Sequence, residues 1–406
     1  MRSGPVRAGK GRCDSAGTRQ TLPFSAWGAT TKPLASTRGY GAAMHAQRMI
    51  SVVGCHAEGE VGDVVIGGIL PPAGDTVFEM MQTMEREHDH IRRFLICEPR
   101  GSVARHVNII VPAKTPGCHA GAIIMEPTEY PPMSGSNTMC IATVLLETGM
   151  VPMEEPVTTL RLDMPGGVVE VTAQCRDGKC VSVEIANVPC FVDRLDASVE
   201  VEGVGTVSVS VAYGGMFYGI VDVTALGMRI QPDQARELGT LGEKIRAAAR
   251  EQLSVIHPDN PGINGVSIVQ LNEPFVASDL PSRNTCVVSP GRSDRSPTGT
   301  GTCARMAVLH AQGRLKVGQG LIHESIIGSR FYGNIVGETT VGTGASTRAA
   351  ILPTVRGSAW ITGFSNYVLD PTDPYPQGYL VADTWGTSMI INQHEHARSN
   401  NKEVTQ

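Results

Sequence analysis

The amino-acid sequence predicts an α/β (α+β) protein built from two duplicated halves, and three observations support this prediction. Strand-like and helix-like segments follow one another in a similar order in both halves of the chain. A short motif rich in hydroxyl residues and glycine occurs twice, each time with a long helical segment before it. The chain has 406 residues, 41% hydrophobic and 18% charged, which is enough to bury two cores.

The strands are predicted from short runs of Val, Ile and other strand-forming residues between turns. Ten such segments precede residue 290: 50–54, 61–69, 107–111, 121–125, 168–173, 181–188, 205–211, 217–222, 265–270 and 285–289. Residues 322–390 are expected to form further strands and turns that close the fold.

The helices are predicted from apolar side chains at helical spacing. Residues 75–95 begin with a capping Asp, and residues 233–253 follow Pro232, so both indicate long helices. Two shorter helices are expected at 139–147 and in the stretch that ends at Gly313.

The order of these elements predicts the domain organisation. The first half is expected to contain residues 48–165 plus about 345–390, and the second half residues 166–344. Residues 1–47 are rich in Lys, Arg, Ser and Gly. This composition resembles a transit peptide, but we favour an upstream start or a disordered extension. Residues 391–406 are interpreted as a tail.

Charge and cysteine content narrow the class of protein. The net charge of −5 gives no basic surface typical of nucleic-acid or membrane binding. The sequence has no apolar run of about 18 residues that would span a bilayer. Its ten cysteines are scattered without a CxxC pair, so we expect reduced thiols in a cytoplasmic protein.

The repeat can be aligned residue by residue. Residues 134–138 read SGSNT and residues 298–302 read TGTGT, and after ten intervening residues each motif is followed by a glycine, Gly149 or Gly313. The offset is 164 residues throughout. Small residues can match by chance in a chain with 46 glycines, but hydroxyls, glycine and threonine all stay in register here. We therefore favour a duplicated pair of α/β domains.

Each copy places a hydroxyl residue, Ser134 or Thr298, at the start of a helix. The first N–H groups of a helix lack internal partners and carry partial positive charge, so they bind carboxylates. Gly135 and Gly299 would let the backbone approach such a ligand closely. Ordinary N-capping is the simpler interpretation of either motif alone. Two copies in register favour a site that holds one small carboxylate between two side chains.

The longer context of these motifs resembles the proline racemase family from about residue 52 to 380. The most specific segment is 294–302, which reads DRSPTGTGT and is followed by ARMA at 304–307. Weaker matches occur in the same order as in the family: 56–60 with 67–68, 98–101, 214–218 and 324–328.

The resemblance implies a diaminopimelate epimerase-like fold, with two pseudo-symmetric domains that each curl an antiparallel sheet round a central helix. In many family members two thiols flank the substrate Cα, one removes its proton and the other returns it, and no cofactor or metal is used. Ser134 and Thr298 occupy these two catalytic positions here. The remaining implied positions bind the substrate carboxylate or ring amine: Gly135, Ser136, Asp294, Gly299 and Thr300.

Both thiol positions therefore carry hydroxyls, which are far weaker acids than thiols. Dehydratases of trans-3-hydroxy-L-proline within the family typically have Thr at the second position, although they usually keep Cys at the first. Some epimerase-like members have Ser first but Cys second. Cys140 and Cys303 lie near the two motifs and are expected to pack in the core rather than to replace the missing thiols.

We therefore expect a cofactor-independent hydro-lyase that forms pyrroline-2-carboxylate from trans-3-hydroxy-L-proline. Ser134 would take the Cα proton, Thr298 would orient or protonate the leaving hydroxyl, and Asp294 would hold the ring nitrogen. The first alternative is a 4-hydroxyproline 2-epimerase or proline racemase-type isomerase, and the second is a non-catalytic imino-acid binding protein. The partner is a small imino acid, and a homodimer is a further expectation.

Overall fold

A computed structural model describes residues 48–386 of the chain. The predicted N-terminal extension, residues 1–47, and the predicted tail, residues 391–406, lie outside the described residues.

The described region is dominated by strands. In chain order they are β1 Arg48–Ala57, β2 Glu60–Gly67, β3 Arg105–Val111, β4 Ala120–Met125, β5 Val157–Met164, β6 Gly167–Arg176, β7 Lys179–Ala186, β8 Cys190–Val201, β9 Gly205–Tyr213, β10 Phe217–Asp222, β11 Ile268–Asn272, β12 Pro281–Val288, β13 Arg292–Ser293, β14 Gly320–Glu324, β15 Arg330–Val341, β16 Arg348–Gly357 and β17 Ala359–Leu369. The helices are α1 Val77–Glu87, α2 Asp89–Ile96, α3 Gly135–Glu147, α4 Ala235–Gln252, α5 Gly299–Ala311 and α6 Ala382–Trp385.

The strand pairings repeat between the two halves. The series β1–β2 antiparallel, β2–β3 parallel, β3–β4 antiparallel and β4–β5 parallel recurs as β9–β10, β10–β11, β11–β12 and β12–β14. The predicted α/β fold is therefore confirmed, and the pairing supports the predicted duplication. The sheets are mixed rather than purely antiparallel as expected, because four of these eight pairings are parallel.

Helices α3 and α5 form the centres of the two repeats. Both have 13 residues and begin 164 residues apart, at Gly135 and Gly299. Almost every residue of each helix is buried, which is typical of a helix enclosed on all sides. Helix α3 packs on β1, β2, β7 and β17, whereas α5 packs on β8, β9, β15 and β16.

The exact boundary between the halves stays a proposal. Strand β17 pairs with β1 over its whole length, as expected if the end of the chain returns to the first half. Strand β7 packs on α3, so we place the boundary after Ala186 rather than at residue 165.

Two local predictions differ from the structure. The single helix expected at 75–95 is two helices, because His88 leaves the helical conformation with φ −127° between α1 and α2. Thr76 begins α1 with a capping box to Glu79. Strands β5 and β8 were not predicted as strands.

Among residues 48–386, no helix is both long and apolar enough to cross a membrane.

Candidate active site

The two matched hydroxyl residues are the N-cap residues of the central helices. Ser134 precedes α3 and Thr298 precedes α5, and both side chains are more than nine-tenths buried. Within the described region neither side chain makes a hydrogen bond that caps its helix. Ordinary side-chain capping, the simpler interpretation of the sequence, therefore does not account for these hydroxyls.

The two helix ends meet at their first glycines. A Cβ atom added to Gly135 would lie 2.7 Å from Cα of Gly299, and one added to Gly299 would lie 2.8 Å from Cα of Gly135. Real Cβ contacts are almost never this short. Glycine is required at both positions because backbone meets backbone, and this contact brings Ser134 and Thr298 together from opposite halves.

Replacing Gly299 with Ala is expected to separate the helix ends and to lower the free energy of unfolding by about 1–3 kcal/mol, the usual cost of overpacking. Denaturant unfolding measures this change, and the rate with an imino acid should fall with it. Gly363→Ala is the matched control, because a Cβ there meets nothing within 4 Å. Equal stability of both variants would contradict the contact.

Ser134 is held by an ordered pair of amide side chains. Asn137 Nδ2 donates to Ser134 Oγ at 2.9 Å, and Asn108 Nδ2 donates to Asn137 Oδ1 at 3.0 Å. Asn108 Nδ2 also donates to the backbone oxygen of Asp63 at 3.2 Å, which fixes the direction of the chain of hydrogen bonds. Ser134 Oγ thus accepts a hydrogen bond that would stabilise its deprotonated form.

We expect Asn137→Ala to lower kcat by roughly ten- to a hundredfold, because a hydrogen bond to a charged group contributes about 1.5–3 kcal/mol. The ascending limb of the pH–rate profile, where the rate rises as the base loses its proton, should move to higher pH, while KM should change little. Asn366→Ala, on the exposed part of β17, is the control. A fall in activity without movement of the pH profile would argue for a purely structural role of Asn137.

Thr298 has a different environment. Its Oγ1 donates to Asp294 Oδ2 at 2.5 Å, and its N–H donates to Ser296 Oγ at 3.0 Å. Its φ of 62° is rare for a β-branched residue and costs energy that the surrounding contacts must offset. The hydroxyl proton of Thr298 is therefore directed to Asp294, whereas Ser134 has an N–H donor beside it.

Behind these residues lies a buried charged network that joins the two halves. Arg292 Nη2 donates to Glu60 Oε1 at 2.5 Å and lies 2.5 Å from His106 Nε2. Glu60 Oε2 accepts from the backbone N–H of Arg295 at 2.7 Å. His106 Nδ1 lies 3.6 Å from Glu126 Oε1. Glu60 and His106 belong to the first half and Arg292 to the second, so this network fastens the halves together beside Asp294.

The pKa values in the network move in opposite directions. Burial raises the pKa of Glu60, but the nearby charges, Arg292 first, and the hydrogen bonds to its carboxylate together outweigh burial and lower the pKa from 4.5 to about 2. Burial and Arg292 lower the pKa of His106 from 6.5 to about 3. Burial and the neighbouring Glu60 raise the pKa of Asp294 well above 3.8. At neutral pH the network therefore contains the Glu60–Arg292 ion pair and a neutral imidazole at His106. The ammonium group of a bound substrate would stabilise the ionised form of the Asp294 carboxyl.

The other predicted positions lie at the same helix ends. Thr300, in the first turn of α5, places its Oγ1 2.6 Å from the hydroxyl of Tyr218, and Ser136 is buried in the first turn of α3. Cys140 and Cys303 are fully buried and belong to the hydrophobic core, as expected. Burial and the neighbouring Cys55 raise the pKa of Cys140 well above 9.0, so this thiol does not replace the missing one.

Sequence reasoning missed five polar residues that the fold brings to the site: Glu60, His106, Glu126, Asn137 and Arg292. Glu60 and Asn137 lie within matched segments, so their position in those segments was the available signal. His106, Glu126 and Arg292 gave no signal in the sequence, since a single polar residue in a strand-like run is usually a surface residue.

A cavity of about 1040 Å³ lies between α1 and α4. It is bounded by α4 on one side and reaches Pro132 and Met216 on the other. Next to Met216, a Cβ added to Gly215 would lie 2.9 Å from Cγ2 of Thr300 and 3.2 Å from Cβ of Met133. Arg246, Arg250 and Glu129 give the cavity a charged wall. Ser134 and Thr298 are not among the residues that line this cavity.

Two α/β repeats whose central helices meet at their N-termini therefore form the framework of the candidate active site. Residues 52–380 match the model of the proline racemase family. The chain belongs to the proline racemase family and is an enzyme of that family.

Two solved structures show the same architecture. A hydroxyproline epimerase from Agrobacterium vitis, crystallised with trans-4-hydroxy-L-proline, is 40% identical with a TM-score of 0.79; the match covers 84% of this chain and 98% of that chain. A probable proline racemase from Agrobacterium radiobacter K84, crystallised with carbonate, is 39% identical with a TM-score of 0.79; here the match covers 83% and 98%.

Proposed function

We propose that the protein removes water from trans-3-hydroxy-L-proline and forms pyrroline-2-carboxylate without a cofactor. The observation that carries this proposal is the unequal environment of the two hydroxyls. Ser134 accepts a hydrogen bond that favours its deprotonated form, whereas Thr298 donates a hydrogen bond to Asp294. A racemase needs a competent acid or base on both faces of Cα, but an elimination needs a base on one face only.

The substrate would be held by its two charged groups. The free N–H groups of Gly135 and Ser136 in α3, and of Gly299 and Thr300 in α5, would bind the carboxylate and stabilise the carbanion character that develops at Cα. Asp294 would accept a hydrogen bond from the ring ammonium, and this positive charge would favour its ionised form.

The stereochemistry of the substrate allows elimination with a single catalytic base. In trans-3-hydroxy-L-proline the Cα–H bond and the C3 hydroxyl lie on the same face of the ring. Ser134 would take the Cα proton, the C–H electron pair would form the C2=C3 bond, and the C3–O bond would break. The proton would leave with the hydroxyl as water, and the enamine would tautomerise to pyrroline-2-carboxylate. Thr298 would then orient the ring through Asp294 rather than protonate the leaving group.

Epimerisation of a hydroxyproline is the second candidate. It is favoured by the 40% identity to the Agrobacterium vitis hydroxyproline epimerase and by the matched positions of the two hydroxyls. In this reaction Ser134 and Thr298 would exchange a proton across Cα, with Asp294 accepting the Thr298 proton when Thr298 acts as the base.

One NMR time course in deuterium oxide separates these candidates. L-proline, trans-3-hydroxy-L-proline and trans-4-hydroxy-L-proline would be incubated separately with the protein. Loss of the C3 hydroxyl with formation of the cyclic imine supports the hydro-lyase. Solvent deuterium at Cα together with the D-epimer supports the isomerase. Saturable binding without exchange or turnover would leave the non-catalytic binding protein as the remaining interpretation.

A further inference from the structure

Two buried polar atoms beside the Asp294–Thr298 pair have no hydrogen-bond partner within the described part of the chain. They are Oε2 of Glu126 and Nε of Arg292. Glu126 is 2% exposed and Arg292 is 8% exposed, so bulk water does not serve either group. An unpaired buried polar group is destabilising, and a polar group of a ligand would offset this cost.

The other polar atoms of these side chains are already in contact with protein groups. Arg292 uses Nη2 for Glu60 and Nη1 for the backbone oxygen of Ser293 at 3.4 Å, which leaves Nε. Glu126 places Oε1 3.6 Å from His106, which leaves Oε2. The unpaired atoms therefore offer one N–H donor and one carboxyl oxygen in a single buried network.

The protonation state of Glu126 fits a neutral ligand group. Burial and the nearby Glu129 raise the pKa of Glu126 well above 4.5, although the charge of Arg292 acts in the opposite direction. A neutral carboxyl can both donate and accept a hydrogen bond. A hydroxyl group also donates and accepts, so it can accept from Arg292 Nε and exchange a hydrogen bond with Glu126.

We propose that Glu126 and Arg292 form a subsite for the ring hydroxyl of the substrate and so select hydroxyprolines over proline. The inference rests on the proposed function, which assigns the carboxylate to the helix ends and the ring nitrogen to Asp294. The hydroxyl is the polar group that remains. Proline would leave both buried atoms unpaired, and a site built to bind a hydroxyl discriminates strongly against a ligand that lacks it.

The test measures binding without turnover. Calorimetry on Ser134→Ala protein would compare L-proline with trans-3-hydroxy-L-proline and trans-4-hydroxy-L-proline. Adding Glu126→Met, which keeps length but removes both oxygens, should weaken hydroxyproline binding roughly ten- to a hundredfold and leave proline within about threefold. Adding Glu126→Gln, which keeps a donor and an acceptor, should cause a smaller loss. Glu170→Gln, on exposed β6, is the control and should change neither affinity.

The outcomes are separable. If Glu126→Met weakens proline and hydroxyproline equally, or lowers the melting temperature while selectivity stays unchanged, Glu126 has a structural role and the subsite is wrong. If the Ser134→Ala protein does not prefer a hydroxyproline, the subsite is also wrong. If the unaltered protein binds hydroxyproline selectively but neither exchanges Cα–H nor loses water, the proposed function fails and the subsite stands. Binding of no imino acid would overturn both.

Discussion

Replacing Ser134 with Ala is expected to abolish Cα–H exchange and product formation, with a fall in rate of at least about a thousandfold. Removal of a positioned general base usually costs roughly a hundred- to ten-thousandfold. Binding should survive within a few-fold, because the helix-end N–H groups and Asp294 hold the substrate. Single-turnover NMR and calorimetry measure the two effects.

Ser134→Cys is the matched control for this prediction. A thiol ionises more readily than a hydroxyl and fits a similar volume, so this variant should retain or increase the rate of proton abstraction. If Ser134→Ala keeps more than about a tenth of the parental rate, the base lies elsewhere, and Thr298 with Asp294 becomes the first candidate.

Replacing Arg292 with Met is expected to lower the free energy of unfolding by about 3–5 kcal/mol. The change leaves the carboxylate of Glu60, which is 2% exposed, without its counter-ion. An unpaired buried charge is among the most destabilising changes in a core. Because Glu60 and Arg292 lie in different halves, the loss should also weaken their association. Urea unfolding measures the change.

The double variant Glu60→Met with Arg292→Met tests the cause. Removing both charges should restore much of the lost stability, since apolar side chains of similar size often replace a buried ion pair without penalty. If the double variant is as unstable as Arg292→Met alone, packing rather than charge explains the loss.

The same ion pair predicts a pH dependence. The pKa of Glu60 lies below its ordinary 4.5, at about 2, so the stabilisation is complete above pH 4.5 and is lost as pH falls toward 2. The shift corresponds to a contribution on the order of 3 kcal/mol. His106 acts in the same direction, because its unfolded form binds a proton below about pH 6.5 and its folded form does not.

Much of the fold was predictable because the duplicated motif fixes two equivalent points in the chain. The sequence located both central helices and the residues at their ends, Ser134 and Thr298. The break at His88 was not predictable, because the helical pattern of apolar side chains continues across it. Strands β5 and β8 were missed because their exposed faces lack a continuous run of strand-forming residues.

The candidate site was less predictable than the fold. Glu60, His106, Glu126 and Arg292 come from four separate segments that only the pairing of distant strands brings together. Their importance depends on burial, which raises the cost of every unpaired polar group and shifts the pKa of each carboxyl. The opposite roles of Asn137 and Asp294 beside the two hydroxyls likewise appear only in three dimensions.

The contact between Gly135 and Gly299 means that the position of residues 134 and 298 does not depend on which side chains these residues carry. The spacing of the two reactive side chains is set by backbone atoms and not by the side chains themselves. Hydroxyls and thiols can therefore be exchanged at positions 134 and 298 on an unchanged framework. For protein engineering, the four hydroxyl and thiol combinations at these positions are a set of variants in which the effect of each side chain on reaction type can be measured on one backbone.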